Sequence, residues 1–396
     1  MIELKSGLLT RLNQAVRHAN DNQILRFSRE ISGIEGLVRL TVGEPDFTTP
    51  EHIKNAAINS IQADDSHYGQ PRGSVQFRQN VARYLSDKYQ LAYTSDDVMA
   101  TVGVTEAIYA TLKTLLNPGD SVIIPMPTFP FYAATTEMIG GKVIPVDMSA
   151  TDFKLTPALL QQTLAAHPEA KALIIATPGN PTGVVYQKQE LEALASVLEQ
   201  TDLIVISDEI YSEIVYTAFT SMGTVLPNQT IVFNGVSKSH AMTGYRLGVI
   251  AGPKILIDEI DKVHQLLVTT PTNAAVAAAT EAFSSAGYND SLPMRAAYLE
   301  RLSVMLATFD ALKLEYVEPD GAFYLWFKVP TNLPRDDNVA AKMLAEQAKV
   351  GVIPGSYFGT AGNGWLRASF ATSLPQIKLA MNRLTAYLTR NKRGEA

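Results

Sequence analysis

Between Asp120 and Gly252 the chain repeats one arrangement, and no other feature narrows its possible folds as much. Short β-branched runs, "DSVIIPMP" (120–127), "KALIIAT" (171–177), "DLIVISD" (202–208), "TIVFNG" (230–235) and "RLGVIAG" (246–252), each end at Pro, Gly, Asn or Asp. They lack the apolar/polar alternation of a half-exposed strand, so they read as strands buried on both faces. Between them lie segments with apolar residues at three- and four-residue spacing, such as "TEAIYATLKTLL" (105–116) and "QKQELEALASVLEQ" (187–200). A sheet buried on both faces needs helices on both, which predicts an α/β domain with a mostly parallel sheet. Beyond about residue 290 a long helical stretch, "MRAAYLERLSVMLATFDAL", precedes "GAFYLWFKV", "NVAAKMLAEQA", "VGVIPG", "GWLRASFA" and a final helix, the pattern of a smaller α+β domain. A helix near 253–280 is expected to join the two parts. With 396 residues, 46% of them hydrophobic, the chain can bury cores for two domains.

Several function classes are disfavoured. A net charge of -6 gives no basic face for nucleic acid. There is no cysteine, hence no disulfide or thiolate chemistry, which suits a reducing compartment. The first residues mix charges among apolar side chains, unlike a signal peptide, and no run of about 18 apolar residues occurs. The expectation is a soluble cytoplasmic protein with no membrane partner. Histidines 18, 52, 67, 167, 240 and 264 are scattered without metal-ligand spacing, so no metal is expected. His240 is read as a packing or surface residue.

Open α/β sheets bind ligands beyond the carboxyl ends of their strands. The residues there are Thr128-Phe129, Asn180, Asp208 with Tyr211, and Ser237-Lys238. Alone, Asp208 fits a helix cap and Asn180 a turn. Together they bring an aromatic ring, an amide, an acid, a phenol and an amine to one rim. Lys238 has the small neighbours Gly235, Ser237 and Ser239, which leave room for a planar ligand, and burial would lower its pKa toward that of a nucleophile. Pyridoxal phosphate requires such a lysine, an acid for its ring nitrogen, donors to its phenolic oxygen, and a phosphate cradle. Asp208 supplies the acid, and Tyr211 and Asn180 the donors. Gly103-Val104-Thr105 open a helix whose free amides suit a dianion, with Arg246 and Ser237 adding donors.

"GEPDF" (43–47), "NPTG" (180–183), "DEIY" (208–211), "SKSHAMTGYRLG" (237–248), "PGSYFG" (354–359) and "GWLRASFA" (364–371), in this order along the chain, resemble a class I aminotransferase of pyridoxal-phosphate fold type I. The resemblance implies a large domain, residues 48–289, with a mostly parallel seven-stranded sheet between helices, and a small α+β domain built from 1–47 and 290–396. It implies Lys238 as the Schiff-base lysine and proton shuttle, Asp208 on the pyridine nitrogen, Tyr211 and Asn180 on the phenolic oxygen, and Phe129 stacked on the ring. Val104, Thr105, Ser237 and Arg246 would hold the phosphate. Tyr68 in "HYGQPRG" would reach the phosphate of the other subunit of a homodimer. Arg367 would pair with the substrate α-carboxylate beside Gly43. The implied activity is ping-pong transfer of an amino group from an L-amino acid to a 2-oxo acid, with the small domain closing over the substrate.

Some positions depart from the family pattern. Gly235 stands where some members have a phosphate-binding serine, and Phe129 where many have Trp or Tyr. Thr105 replaces a lysine that one dicarboxylate-specific branch uses, so an aromatic or broad neutral substrate is expected, with aspartate possible through Arg29, Arg72 or a partner residue. Phe131, Tyr132 and Tyr324 are candidates for the pocket wall. Glu209 and Glu213 are read as a helical face at four-residue spacing, and Tyr245 and Trp365 as packing that locks Arg246 and Arg367. There is no G-x-G-x-x-G dinucleotide fingerprint and no G-x-x-x-x-G-K-[ST] loop, and Ser237-Lys238 lacks the three-residue spacing of a Ser-Lys hydrolase. The remaining alternatives are a carbon–sulfur β-lyase on the same fold and a catalytically inactive binding protein of that fold.

Overall fold

The computed structural model describes residues 2, 4–18 and 22–392. In chain order the strands are β1 (Val38–Arg39), β2 (Val98–Thr101), β3 (Ser121–Met126), β4 (Lys142–Asp147), β5 (Ala170–Ala176), β6 (Ile204–Asp208), β7 (Thr230–Gly235), β8 (Gly248–Ala251), β9 (Tyr316–Val317), β10 (Tyr324–Lys328), β11 (Val350–Gly351), β12 (Ile353–Pro354) and β13 (Trp365–Ser369). The larger sheet has seven strands in the order β2-β8-β7-β6-β5-β3-β4. All pairings are parallel except those of β8, which is antiparallel to both neighbours. The fold is therefore the expected α/β class.

Both faces of this sheet are buried, which explains the missing alternation. On one face Ile124, Ile174, Ile206, Phe233 and Ile250 meet Ala107 and Ile108 of the helix Gly103–Leu115 and Ile257 and Ile260 of the helix Lys254–Val268. On the other, Ile123, Leu173 and Val205 meet Leu191 and Leu194 of the helix Lys188–Leu198. Each of these side chains larger than alanine contributes about 1.5–3 kcal/mol by leaving water. The parallel register pairs Ala176 with Asp208 and Asp208 with Phe233, so the strands end level and their following residues share one rim.

The smaller sheet, β12-β13-β10-β9, is antiparallel. Its core draws Phe27, Ile31, Val38 and Leu40 from the N-terminal segment together with residues from 294–388, is met by Phe153, Tyr211 and Ile214 from the middle of the chain, and β1 pairs in parallel with β11. The helices Ser291–Leu312 and Leu374–Lys392 flank it.

Three local expectations are corrected. The segment 253–280 is two helices, Lys254–Val268 and Asn273–Ala282, not one. Pro271 lacks an N–H and disfavours a helical Thr270, so the first helix stops there. Neither joins the two sheets: both pack on the larger one, and Ser291–Leu312 carries the chain across. Glu209 and Glu213 do not share a helical face. Residues 210–214 form turns, with Glu209 fully buried and accepting from Ser207, Ser221 and the Met222 amide. Glu213 takes Tyr89, Lys88 and Ser291. Finally, β2 and β4 extend the sheet beyond the apolar runs. β4, at the edge, reads Lys-Val-Ile-Pro-Val-Asp with alternate residues exposed. Among the described residues no helix is long and apolar enough to cross a membrane.

Candidate active site

At the rim, β7 ends at Gly235 and a single turn, Val236–Ser239, presents Lys238. Its Nζ donates to the Gly43 carbonyl at 2.7 Å. Burial lowers the amine to about 8; Glu44 and Asp208 pull it up, and Arg246 and Arg367 push it down. Near neutral pH an appreciable share of this lysine is therefore a free base. Asp208 ends β6 and is buried. One carboxylate oxygen accepts from the Ile210 amide at 3.2 Å, the other from the Tyr132 hydroxyl at 2.6 Å. Burial raises its pKa despite these bonds. No basic group bonds it among the described residues, which leaves a buried acid suited to a cationic N–H.

The third element is the start of the helix Gly103–Leu115. Gly103 has a φ of +73°, and a Cβ there would lie 2.5 Å from the Arg246 guanidinium, so only glycine admits the arginine against the helix N-terminus. Arg246 itself has a φ of 54°, uncommon for a non-glycine residue, and its guanidinium bonds the Thr243 carbonyl at 3.0 Å. Gly248 is equally constrained: a Cβ there would meet Gly103 C at 2.6 Å and Val104 N at 2.7 Å. Free amides, a helix dipole and a guanidinium thus converge on an anion-sized site.

The fourth is Arg367, on β13 opposite Trp326, only 2% exposed. It donates to Asn180 Oδ1 and to the Thr41 carbonyl, each at 2.8 Å. The Tyr324 ring lies 4.3 Å and the Phe358 ring 5.0 Å from its guanidinium carbon. Its Nε has no partner. A guanidinium has five N–H donors; with two on Asn180 and Thr41, three are left for a ligand.

These elements enclose a cavity of about 260 Å³. Every site residue expected from the sequence lines it except Tyr68, whose side chain is 87% exposed on the surface. Tyr132 and Tyr324 line the cavity; Phe131 does not, and packs against the Phe129 ring at 4.7 Å. Among the described residues lining it, the cations are Lys238, Arg246 and Arg367. Arg72 is instead committed to Asp258 and Asp261, and Arg29 does not reach the cavity. Trp365 does not lock Arg367: it stacks on Trp326 with rings 2° from parallel, and Tyr324 and Phe358 hold the arginine. Tyr245 packs against the core of the larger sheet. His240 is buried between Ser239 and the Gly287 carbonyl.

Sequence reasoning missed several members. Asn22, Ile24 and Leu25 form a wall from the helix Gln23–Glu30, a segment with no motif. Tyr132 and Tyr324, expected only as pocket wall, make bonds the sequence did not foretell: Tyr132 reaches Asp208 from a separate helix, and the Tyr324 hydroxyl meets that of Tyr211 at 2.7 Å. Behind the anion site, Glu106 accepts from the Val102 amide and His264. The "VTEAI" acid four residues after the helix cap was the available signal.

A buried amine with a lowered pKa, an acid that no basic group bonds among the described residues, a flanking ring and an anion cradle form a donor set that fits a phosphate-bearing pyridine aldehyde. Fold and site together define an α/β enzyme that works on amino acids with pyridoxal phosphate. Comparison with known proteins agrees. The family "Aminotransferase class I and II" matches residues 35–384. The chain is 36% identical to the "Probable N-acetyl-LL-diaminopimelate aminotransferase" of Bacillus subtilis (strain 168), covering 96% of each chain. It is 33% identical to "Aromatic-amino-acid aminotransferase 2" of Thermococcus litoralis, over 96% of this chain and 99% of that one. The solved aspartate aminotransferase from Thermus thermophilus with maleate superposes with a TM-score of 0.90 at 34% identity, covering 95% of this chain and 99% of that one. This chain belongs to the class I and II aminotransferase family and is a pyridoxal-phosphate-dependent aminotransferase. All three relatives are named for amino transfer, which favours it over β-elimination or an inactive binding role.

Proposed function

We propose that this enzyme moves the amino group of an aromatic or other neutral L-amino acid to a 2-oxo acid by a ping-pong mechanism, as a cytoplasmic homodimer. The observation that carries the substrate assignment is the count of cavity cations. Lys238, Arg246 and Arg367 are taken by cofactor aldehyde, cofactor phosphate and substrate α-carboxylate respectively, which leaves no cation among the described residues lining the cavity for a side-chain acid. The apolar wall of Ile24 and Leu25 supports the same reading.

In this reading pyridoxal phosphate bound at Lys238 supplies an electron sink for the charge left when the substrate Cα loses its proton. Asp208 accepts a hydrogen bond from the ring nitrogen's proton, and the Tyr132 hydroxyl fixes the carboxylate's orientation. Tyr211 and Asn180 donate to the phenolic oxygen, and Phe129 covers one ring face. Val104, Thr105, Ser237 and Arg246 hold the phosphate. Arg367, beside Gly43, orients the α-carboxylate so that the Cα–H faces Lys238. Lys238 Nζ would be the base that takes that proton, and its lowered pKa suits the task near neutral pH.

The division into a large domain, 48–289, and a small domain of 1–47 with 290–396 is supported by the core in which Phe27 to Leu40 join residues beyond 294, with Phe153, Tyr211 and Ile214 of the large domain meeting it. Closure of the small domain, which carries Arg367, would exclude water from the proton transfer. Dimerisation is supported by Tyr68, which is exposed and does not line its own cavity, and by the exposed Ile61 and Leu266. The cysteine-free composition supports a cytoplasmic location.

The test is the half-reaction. Holoenzyme given phenylalanine and no acceptor is expected to release one equivalent of 2-oxo acid per site and stop, then resume when a second 2-oxo acid is added. The kcat/KM for phenylalanine should exceed that for aspartate; a tenfold preference for aspartate would overturn the substrate assignment. Continuing release of ammonia and pyruvate from cystathionine would indicate elimination.

A further inference from the structure

Tyr324 is 1% exposed and begins β10, in the smaller sheet. It touches three parts of the cavity. Its hydroxyl lies 2.7 Å from that of Tyr211, which follows β6 of the larger sheet. Its ring face covers the Arg367 guanidinium at 4.3 Å. A Cβ on Gly43 would sit 2.6 Å from its hydroxyl oxygen, so glycine there preserves the hydroxyl's position, and the Gly43 carbonyl is the one that accepts from Lys238.

The proton count assigns direction. A phenol has one proton to donate. If Tyr211 donates to the cofactor's phenolic oxygen, the bond between the two tyrosines must be donated by Tyr324. A hydroxyl that accepts a hydrogen bond is a stronger donor in turn, because the two bonds polarise one another. A phenylalanine at 324 would keep the ring over Arg367 and lose this polarisation. An aliphatic residue would lose both.

Resting on the cofactor reading above, we propose that Tyr324 is a positioning residue with two separable parts: its hydroxyl aims and strengthens the Tyr211 donor at the cofactor's phenolic oxygen, and its ring sets Arg367 for the substrate carboxylate. One buried side chain thereby couples the cofactor-oxygen subsite on the larger sheet to the carboxylate subsite on the smaller one.

The experiment uses holoenzyme of the wild type, Tyr324→Phe, Tyr324→Leu, Tyr211→Phe and the Tyr211→Phe/Tyr324→Phe double variant. Two quantities are read: the midpoint of the cofactor absorbance change with pH, and the Kd for 3-phenylpropionate, a carboxylate with no amine to react. Weakening the Tyr211 donor leaves more negative charge on the phenolic oxygen, so the lysine nitrogen conjugated with it keeps its proton to higher pH. In Tyr324→Phe the midpoint is expected to rise by about 0.1–0.7 pH unit, the effect of weakening one hydrogen bond to a charged oxygen by about 10–30%. The Kd should stay within about twofold. In Tyr324→Leu the midpoint should rise similarly and the Kd increase about 3–30-fold, the range of a partly to fully desolvated cation–π contact. In the Tyr211→Phe background, Tyr324→Phe should move the midpoint no further. An unchanged midpoint in Tyr324→Phe, or the same shift with Tyr211 absent, would overturn the proposal. Lys238→Ala separates this failure from that of the cofactor reading: a pH-dependent band absent from the wild type, or retained in Lys238→Ala, overturns the cofactor reading itself.

Discussion

Replacing Arg367 with methionine is the perturbation whose size the structure defines best. The guanidinium is buried, bonded to Asn180 Oδ1 and the Thr41 carbonyl, and still has an unpartnered Nε. Methionine approximates its length and keeps packing against Tyr324 and Phe358. An α-carboxylate held bidentately loses two charge-assisted hydrogen bonds of about 1.5–3 kcal/mol each, together about 3–6 kcal/mol. At about 1.4 kcal/mol per tenfold this is a loss of roughly 10²–10⁴ in amino-acid affinity and kcat/KM. Stability should change little: the variant removes a buried charge whose desolvation offsets its own bonds, and leaves only neutral acceptors behind. The assay is titration of cofactor absorbance with phenylalanine, beside a thermal melt and a measurement of cofactor retention. A loss smaller than tenfold would refute the carboxylate assignment. Loss of cofactor in step with substrate affinity would refute the separation of the two subsites.

Three further outcomes are expected. Capture of pyridoxal phosphate by the apo-protein should accelerate with pH through a midpoint near 8, as burial lowers the Lys238 amine to about 8, and a midpoint near the ordinary lysine value would contradict its burial. His264 faces Glu106 through Nδ1 and the Pro71 carbonyl through Nε2, bonds that raise its pKa against the opposing pull of burial. A raised pKa gives stability that is fully present below the unfolded value near 6.5 and is lost as pH rises through the folded value. The melting temperature of wild type minus that of His264→Phe should therefore be larger at pH 6 than at pH 9, and equal differences would contradict a charged His264. Gly248→Ala, whose Cβ would meet Gly103 and Val104 backbone at 2.6 and 2.7 Å, should displace the start of the phosphate-facing helix and weaken cofactor affinity more than tenfold by fluorescence titration. Undiminished affinity would mean that the helix start is not the phosphate site.

What the sequence by itself determined was local in origin. Strands buried on both faces are dominated by apolar residues, with polar ones mostly at their ends, so β3, β5, β6, β7 and β8 were legible as apolar runs. Chemistry at such strands must follow their ends, which made Asn180, Asp208, Tyr211 and Lys238 legible with them. Gly103 and Arg246 followed from the need for an anion cradle at a helix start, and Arg367 from motif order. The tertiary structure alone decided what meets across long stretches of chain. Tyr132 and Asp208 are 76 residues apart, Tyr211 and Tyr324 are 113, and no periodicity encodes either pair. It also decided that Glu209 and Glu213 sit in buried turns, because four-residue spacing specifies a helical face only where the backbone is helical. Edge strand β4 escaped notice because one exposed side relaxes the demand for apolar residues. The wall of Asn22, Ile24 and Leu25 depends on where an N-terminal helix docks after the chain has closed, a position set by packing against the rest of the molecule rather than by its own residues.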